Sequence, residues 1–117
     1  MIHSEMLERK TDAARLFAFY GKLLTCHQQA VLTLYLDEDL SLSEIAEEMK
    51  ITRQGVHDAY RQACAQLYII EKKLGIAEQY VSIRQALQET LDALRSGDVE
   101  TAADKINSMI HLYEGEA

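Results

Sequence analysis

Proline is absent from this chain of 117 residues, and glycine occurs only five times. These two residues are the strongest turn formers, and a β-sandwich or barrel of this length needs many turns. Their scarcity therefore favours a few long helices. The length fits one domain, or one domain with a helical extension. We predict an all-α protein with about six helices.

Apolar residues recur at spacings of three and four along the chain, which is typical of amphipathic helices. The pattern predicts helices over about 5–24, 26–38, 42–49 and 53–74, a fifth from residue 76 to near Gly97, and a sixth capped by Asp98. Gly21, inside the first helix, indicates either close packing or a kink. The apolar residues of the first, third and fifth helices are Ala13, Leu16, Phe17, Tyr20, Leu23 and Leu24, then Leu42, Ile45, Ala46 and Met49, then Ile76, Tyr80, Ile83, Leu87, Leu91 and Leu94. The residues predicted to face inward are Val31, Leu34 and Tyr35 in the second helix and Val99, Ala103, Ile106, Ile110 and Tyr113 in the sixth.

Polar residues with capping chemistry stand where these helices begin. Thr25 and Thr52 are candidate N-caps, and Ser41 with Glu44 forms a capping box in which each residue satisfies a free backbone N–H. Gly75 is placed to end the fourth helix. The acidic run at 37–39 breaks the pattern and is expected to be a solvated loop.

The fourth helix carries an apolar stripe with the 4, 3, 4, 3, 4 spacing of a heptad seam. Two interpretations stay open: a core helix within one chain, or a helix whose distal half also forms a dimer contact. We predict a helix-turn-helix domain at 1–75 and a C-terminal helical hairpin at 76–117, packed on the fourth helix or on a second subunit. The stripe consists of Val56, Tyr60, Ala63, Leu67, Ile70 and Leu74.

Residues 42–67 have the form of a helix-turn-helix, with a short helix, a tight turn at 50–52 and a longer helix. Ala46 is small, as a close helix crossing needs, and Lys50 stands where many such turns use glycine, which predicts slight strain. The second helix of this motif enters the major groove of DNA. Arg53 could contact guanine or phosphate, Gln54 adenine, and Arg61 phosphate. The predicted contact residues for nucleic acid or a partner are Arg53, Gln54, His57, Arg61 and Gln62.

The charge balance opposes nucleic-acid binding, which depends largely on neutralising phosphates. Net charge is −7; residues 1–75 carry nine Lys/Arg and eleven Asp/Glu, and residues 76–117 carry three and eight. Asp58 adds a negative charge to the predicted contact face. Local clustering matters more than the sum, and helix-turn-helix units also bind proteins. The residues therefore leave DNA binding, protein or ribonucleoprotein binding, and a scaffold role open.

No pattern of residues indicates catalysis, a cofactor or a metal site. The chain lacks a Gly-rich phosphate loop, a nucleophile elbow and an HExxH motif, and its four histidines are scattered. Cys26 and Cys64 belong to no CxxC pair and are expected to be small buried residues. The apolar stretches are too short to span a membrane and Met1–Lys10 is no signal peptide, so we expect a cytoplasmic protein.

An ordered series of motifs over about residues 13–75 resembles the YlxM family. The series reads Leu16-Phe17-x-Phe19-Tyr20-x-x-Leu23-Leu24-Thr25-x-x-Gln28, Leu34-Tyr35, Leu40-Ser41-Leu42-x-Glu44-Ile45-Ala46-Glu47, Thr52-Arg53-Gln54-Gly55-Val56-x-Asp58 and Glu71-x-Lys73-Leu74.

This resemblance implies a helix-turn-helix similar to region 4 of bacterial sigma factors, dimerisation, and no enzymatic activity. The sigma-like motif implies DNA binding. Family genes usually lie beside the gene for the signal recognition particle GTPase, which implies a role in that pathway, with its GTPase or RNA as partner. The sequence departs from the arginine- and glutamate-rich sigma pattern at Gln54, Gly55 and His57, and His27 stands where members tend to carry Lys. These departures argue against sigma-type promoter reading.

Overall fold

The computed structural model describes residues 10–114, and side chains are described for residues 10–112. Over that range the chain forms α-helices and no strand, which confirms the all-α prediction. Residues 1–9 and the side chain of Tyr113 lie outside the described residues. Residues 1–9 include the predicted start of the first helix, His3 and most of the segment Met1–Lys10, which was expected not to be a signal peptide. The helices are α1 (Lys10–Tyr20), α2 (Cys26–Leu32), α3 (Leu42–Met49), α4 (Arg53–Leu74), α5 (Ile76–Arg95) and α6 (Val99–Glu114).

The first helix ends earlier than predicted, because Gly21–Leu23 form a 3₁₀ turn after α1. A 3₁₀ turn has three residues per turn instead of 3.6, so the side chains that follow are rotated away from the helical stripe. Leu23, which belongs to the predicted apolar stripe, is 63% exposed for this reason. A Cβ on Gly21 would lie 2.8 Å from the Phe17 ring. Gly21 therefore provides both the close packing and the break that its position indicated.

The second predicted helix changes its winding within its length. Thr25 caps α2 with a capping box that includes Gln28, and Thr33–Asp37 then form a π-helical turn. The acidic loop that follows is tied to α1, since the Lys10 ammonium donates to the exposed Asp39 carboxylate at 2.7 Å. The same ammonium lies 4.3 Å from the centre of the Tyr35 ring.

Two compact units make up the chain, Met1–Ala77 and Glu78–Ala117. In the first unit α1, α2 and α3 all pack on α4. The proximal part of the predicted heptad seam lies in this core, whereas Leu74 at its end is 53% exposed. The ring edge of Tyr35 packs on Tyr60, with centroids 4.9 Å apart. The fully buried side chains that centre the core include Val31, Leu32, Ile45, Val56, Ala63 and Leu67.

Tyr20 joins α1 to the junction between α4 and α5. Its hydroxyl donates to the Glu71 carboxylate and accepts the backbone N–H of Ile76 at 3.0 Å. The N–H of Ala77 donates to Glu71 Oε1 at 3.1 Å, and Gly75 ends α4 at φ 65° as predicted. Burial raises the pKa of the Tyr20 hydroxyl, and the hydrogen bond to Glu71 raises it further by a smaller amount. The first N–H groups of α5, which have no partner within the helix, are thus satisfied by side chains.

The second unit is a helical hairpin with many large apolar residues exposed. Asp98 caps α6 as expected, accepting the N–H of Thr101 at 3.1 Å. The buried residues are the small Thr90 and Ala102, because the two helices approach each other through small side chains. The large α6 residues predicted to face inward, Val99, Ile106 and Ile110, are instead exposed. The apolar residues that mark α5 are exposed as well, namely Ile76, Tyr80, Leu87, Leu91 and Leu94. Ala103 is exposed as well. Among the described residues, no helix is long and apolar enough to cross a membrane.

Candidate nucleic-acid interface

The turn between α3 and α4 is built from local hydrogen bonds. Ser41 and Glu44 form the predicted capping box at the start of α3, with N–H to side-chain distances of 2.8 and 3.1 Å. Lys50 ends α3 in the left-handed conformation, at φ 58° and ψ 45°. The N–H of Ile51 bonds back to the Ala46 carbonyl at 3.1 Å, which closes the helix. The strain predicted for Lys50 is confirmed by its positive φ.

The start of α4 is fixed by a cap and by core anchors on both helices. Thr52 Oγ1 accepts the N–H of Gly55 at 2.9 Å, as predicted. A Cβ on Gly55 would lie 3.1 Å from that oxygen, so glycine leaves room for the cap. Ile45 of α3 and Val56 of α4 are both fully buried and lock the two helices together. The turn therefore presents the first turns of α4 on a rigid support.

All five predicted contact residues are exposed on the first three turns of α4. Three of them, Arg53, His57 and Arg61, follow at intervals of four residues and so form a row about 12 Å long, at 1.5 Å per residue. Gln54 and Gln62 lie on the same exposed side. What these residues bind stays a prediction.

An acidic side chain lies within this face. The Gln54 amide donates to Asp58 Oδ1 at 3.0 Å, so part of the amide's bonding capacity is used within the helix. Sequence reasoning placed both residues on the face but missed the contact, although the i, i+4 spacing is the signal for it. Glu47 and Glu48 of α3 are also exposed. The face thus offers arginines and amides, with carboxylates both within it and on the preceding helix.

The two cysteines differ in environment, and one prediction was wrong. Cys26 is exposed, because it begins α2 directly after the Thr25 cap, whereas Cys64 is buried as expected. Burial raises the pKa of the Cys64 thiol to about 11 and also raises the pKa of the Tyr60 hydroxyl one turn earlier in α4. These two groups belong to the core. In the described part of the chain no group of three His, Cys, Asp or Glu side chains is placed to hold a metal ion.

Comparison with known proteins identifies relatives over nearly the whole chain. A family model described as "Putative helix-turn-helix protein, YlxM / p13 like" (UPF0122) matches residues 7–113. A UPF0122 protein of Acetivibrio thermocellus is 39% identical over 95 residues, covering 81% of each chain. One from Shouchella clausii is 37% identical over 109 residues, covering 93% of this chain and 97% of its own. One from Lacticaseibacillus casei is 43% identical over 90 residues, covering 77% and 76%.

The family model spans the capped turn, the buried anchors and the exposed face of α4 described above. Its description names a helix-turn-helix protein and no enzymatic activity, in agreement with the motif at 42–67. The chain belongs to the UPF0122 family of YlxM/p13-like helix-turn-helix proteins.

Proposed function

We propose that this protein is a cytoplasmic DNA-binding regulator that acts through the exposed face of α4. The observation that carries the proposal is the geometry of α4: its capped first turns expose arginines and amides, while its opposite side is locked into the core. A recognition helix needs both properties, since base edges are read only by side chains held in fixed positions.

Each exposed residue has a role in this proposal. Arg53, in the first turn of α4, reaches the guanine edge or a phosphate, and Gln54 pairs with adenine once its amide leaves Asp58. Arg61, two turns further along, contacts phosphate. His57 and Gln62 complete the surface along the groove. With few cations on the face, a single copy is expected to bind weakly and with a modest salt dependence, because that dependence grows with the number of phosphates neutralised.

We propose further that the protein acts as a homodimer. Two recognition helices related by a twofold axis would contact half-sites about one helical turn of DNA apart, which compensates for the small number of contacts that each α4 can make. The regulated genes would belong to the signal recognition particle pathway, which follows from the family resemblance described under the sequence.

Fluorescence anisotropy of labelled random-sequence duplex DNA, at about 50 and about 200 mM salt, tests the proposal. We expect binding that falls by orders of magnitude between the two conditions. Arg61→Ala should lower the slope of log K against log salt by about one, and Arg53→Ala should weaken binding and relax sequence preference. Lys73→Ala, an exposed change of the same charge in the last turn of α4, is the matched control and should have the smaller effect. Equal losses in all three variants would contradict the assignment of the site.

The carboxylate in the face gives a test of opposite sign. Asp58→Asn removes the negative charge and keeps an oxygen that can accept the Gln54 amide. The variant should bind DNA more tightly at low salt, with the difference shrinking as salt rises. Unchanged or weaker binding would contradict the proposed docking of α4.

A second candidate function is favoured by the acidic charge of the chain. Net charge is −7, and exposed Glu47 and Glu48 precede the recognition helix. These charges suit a protein or ribonucleoprotein partner better than bare DNA. The candidate is an accessory factor of the signal recognition particle that binds its GTPase or its RNA and no DNA. It predicts co-purification with the intact particle from a lysate, together with no duplex binding at either salt concentration.

A further inference from the structure

One side of the α5–α6 hairpin carries six large apolar side chains that are exposed to solvent. Their exposure ranges from 39% to 65%, which is unusual for residues of this type. They are Leu87, Leu91 and Leu94 on α5 and Val99, Ile106 and Ile110 on α6, and we call them the apolar face.

These six residues lie on the same side of the hairpin. The helices contact each other elsewhere: Lys105 bonds to Glu89 at 2.9 Å, and the small, partly buried Ala86 and Ala93 stand on that inner side of α5. At 100° per residue, the apolar side chains on each helix are about a quarter turn from the inner side, in the same rotational sense. Because α5 and α6 run in opposite directions, equal rotations bring both sets to one side. The apolar face is therefore continuous across the two helices.

The size of the apolar face suits a protein interface. With about half of each side chain exposed, the six residues present roughly 500 Å² of apolar surface, at the upper end of what a monomer leaves open. Two such faces together would bury about 1,000 Å² of apolar area, and the polar rim would bring the total into the range of stable interfaces, about 1,200–2,000 Å².

We propose that a second copy of this chain covers the apolar face, so that two hairpins form an antiparallel four-helix bundle. A twofold axis parallel to the helices would place α5 of one copy against α6 of the other. The outer edge of α5 carries Arg84 and Arg95, whereas the matching edge of α6 carries the uncharged Ala103 and Asn107, so this arrangement sets no arginine against another. The other face-to-face twofold arrangement places α5 on α5 and sets arginines against arginines. Avoidance of like charges thus selects the orientation, and the area of the apolar face fits a second copy as the occupant.

The register of the hairpin gives this arrangement a specific contact. The ion pair between Glu89 and Lys105 places these two residues at the same height along the hairpin. Because the helices run in opposite directions, Leu91, two residues after Glu89, is level with Ala103, two residues before Lys105. Both side chains lie toward the outer edge of the face. In the proposed dimer, the large Leu91 of each copy therefore packs over the small Ala103 of the other, as a well-packed interface needs.

Sedimentation equilibrium of the full chain, over about 1–100 μM, tests the surface. The wild type is expected to be a dimer, and Leu94→Glu or Ile106→Glu should weaken association at least 100-fold by burying an unpaired carboxylate. Val81→Glu is the matched control: Val81 is 43% exposed, close to the 44% of Ile106, and it lies on α5 away from both the face and the inner side. Circular dichroism must show unchanged helicity in every variant that dissociates.

Cysteine pairing tests the orientation. In a Cys26→Ser background, chains carrying Leu91→Cys are mixed with chains carrying Ala103→Cys and oxidised. The disulfide-linked dimer should form in the mixture and far less in either sample alone, since only α5 against α6 brings these two positions together. Efficient linkage by Leu91→Cys alone would overturn the proposed orientation.

This inference rests on the homodimer of the proposed function and not on DNA binding, so the experiments distinguish a failure of the homodimer, of the surface and of DNA binding. A wild type that is monomeric throughout overturns the homodimer and this surface together. A dimer that survives Leu94→Glu and Ile106→Glu keeps the homodimer and overturns the surface. Failure to bind DNA in the anisotropy experiment leaves the dimer result intact.

Discussion

Replacing Lys50 by glycine is expected to stabilise the protein, although the change removes a whole side chain. Lys50 ends α3 at φ 58° and ψ 45°, in the left-handed region where a Cβ crowds the following carbonyl. Its side chain is exposed, so the substitution removes little packing. The balance is therefore set by the backbone conformations of the folded and the unfolded chain.

The magnitude follows from two opposing terms. The left-handed conformation costs an L-residue roughly 1–2 kcal/mol, and glycine avoids this cost. Glycine also gives the unfolded chain more conformational freedom, which costs about 0.4–1 kcal/mol on folding. The free energy of unfolding should thus rise by about 0.5–1 kcal/mol, which corresponds to an increase in Tm of roughly 2–6 °C for a domain of this size.

Urea unfolding followed by circular dichroism at 222 nm measures the change, with two controls. Lys50→Ala removes the same charge and stem but keeps the Cβ, so its midpoint should stay close to the wild type. Glu48→Gly introduces glycine two residues earlier, at an exposed position in regular α3, and should destabilise by about 1 kcal/mol. If Lys50→Gly lowered the midpoint as Glu48→Gly does, the reasoning from φ would be refuted.

Three further predictions concern other parts of the chain. Tyr20→Phe removes the hydroxyl that joins a carboxylate to two backbone amides and should lower the free energy of unfolding by about 1–3 kcal/mol, measured by urea unfolding. A thiol reagent at pH 8 should modify Cys26 at once and Cys64 only on unfolding, since burial raises the Cys64 pKa; immediate reaction of both would contradict the structure. Hydrogen bonds from Thr101 lower the pKa of the Asp98 carboxyl below its ordinary value of 3.8. The contribution of this cap to the free energy of unfolding is therefore complete above pH 3.8 and is lost as the pH falls through the lowered pKa. NMR titration of Asp98 checks this, and a pKa at or above 3.8 would contradict it.

Several elements of the fold could be read from local sequence because the forces that set them are local. The caps at Thr25, Ser41, Thr52 and Asp98 formed as predicted, since a short polar side chain reaches amides only two or three residues away. The end of α4 at Gly75 has the same origin. The five candidate contact residues could be expected to be exposed for a related reason: they lie outside the apolar stripe that the period of the helix turns toward the core.

Local sequence predicted less where the backbone changes its winding. The 3₁₀ turn at Gly21–Leu23 and the π-helical turn at Thr33–Asp37 interrupt helices whose apolar pattern looked continuous. Both depend on how α1 and α2 must turn in order to pack on α4, which intrinsic helical propensity does not encode. The exposure of Leu23 follows from the first of these adjustments.

Taken alone, then, the sequence determined the helical class, the caps, the capped helix-turn-helix and the face that α4 presents, since each depends on residues a few positions apart. Only the tertiary structure decided which apolar stripes are buried. Leu67 of α4 and Leu91 of α5 belong to stripes of similar period, yet Leu67 is fully buried, in the unit where three other helices pack on α4, and Leu91 is exposed. Periodicity gives a helix an apolar side, but burial requires a second surface to cover it, and that depends on contacts between distant parts of a chain or between chains.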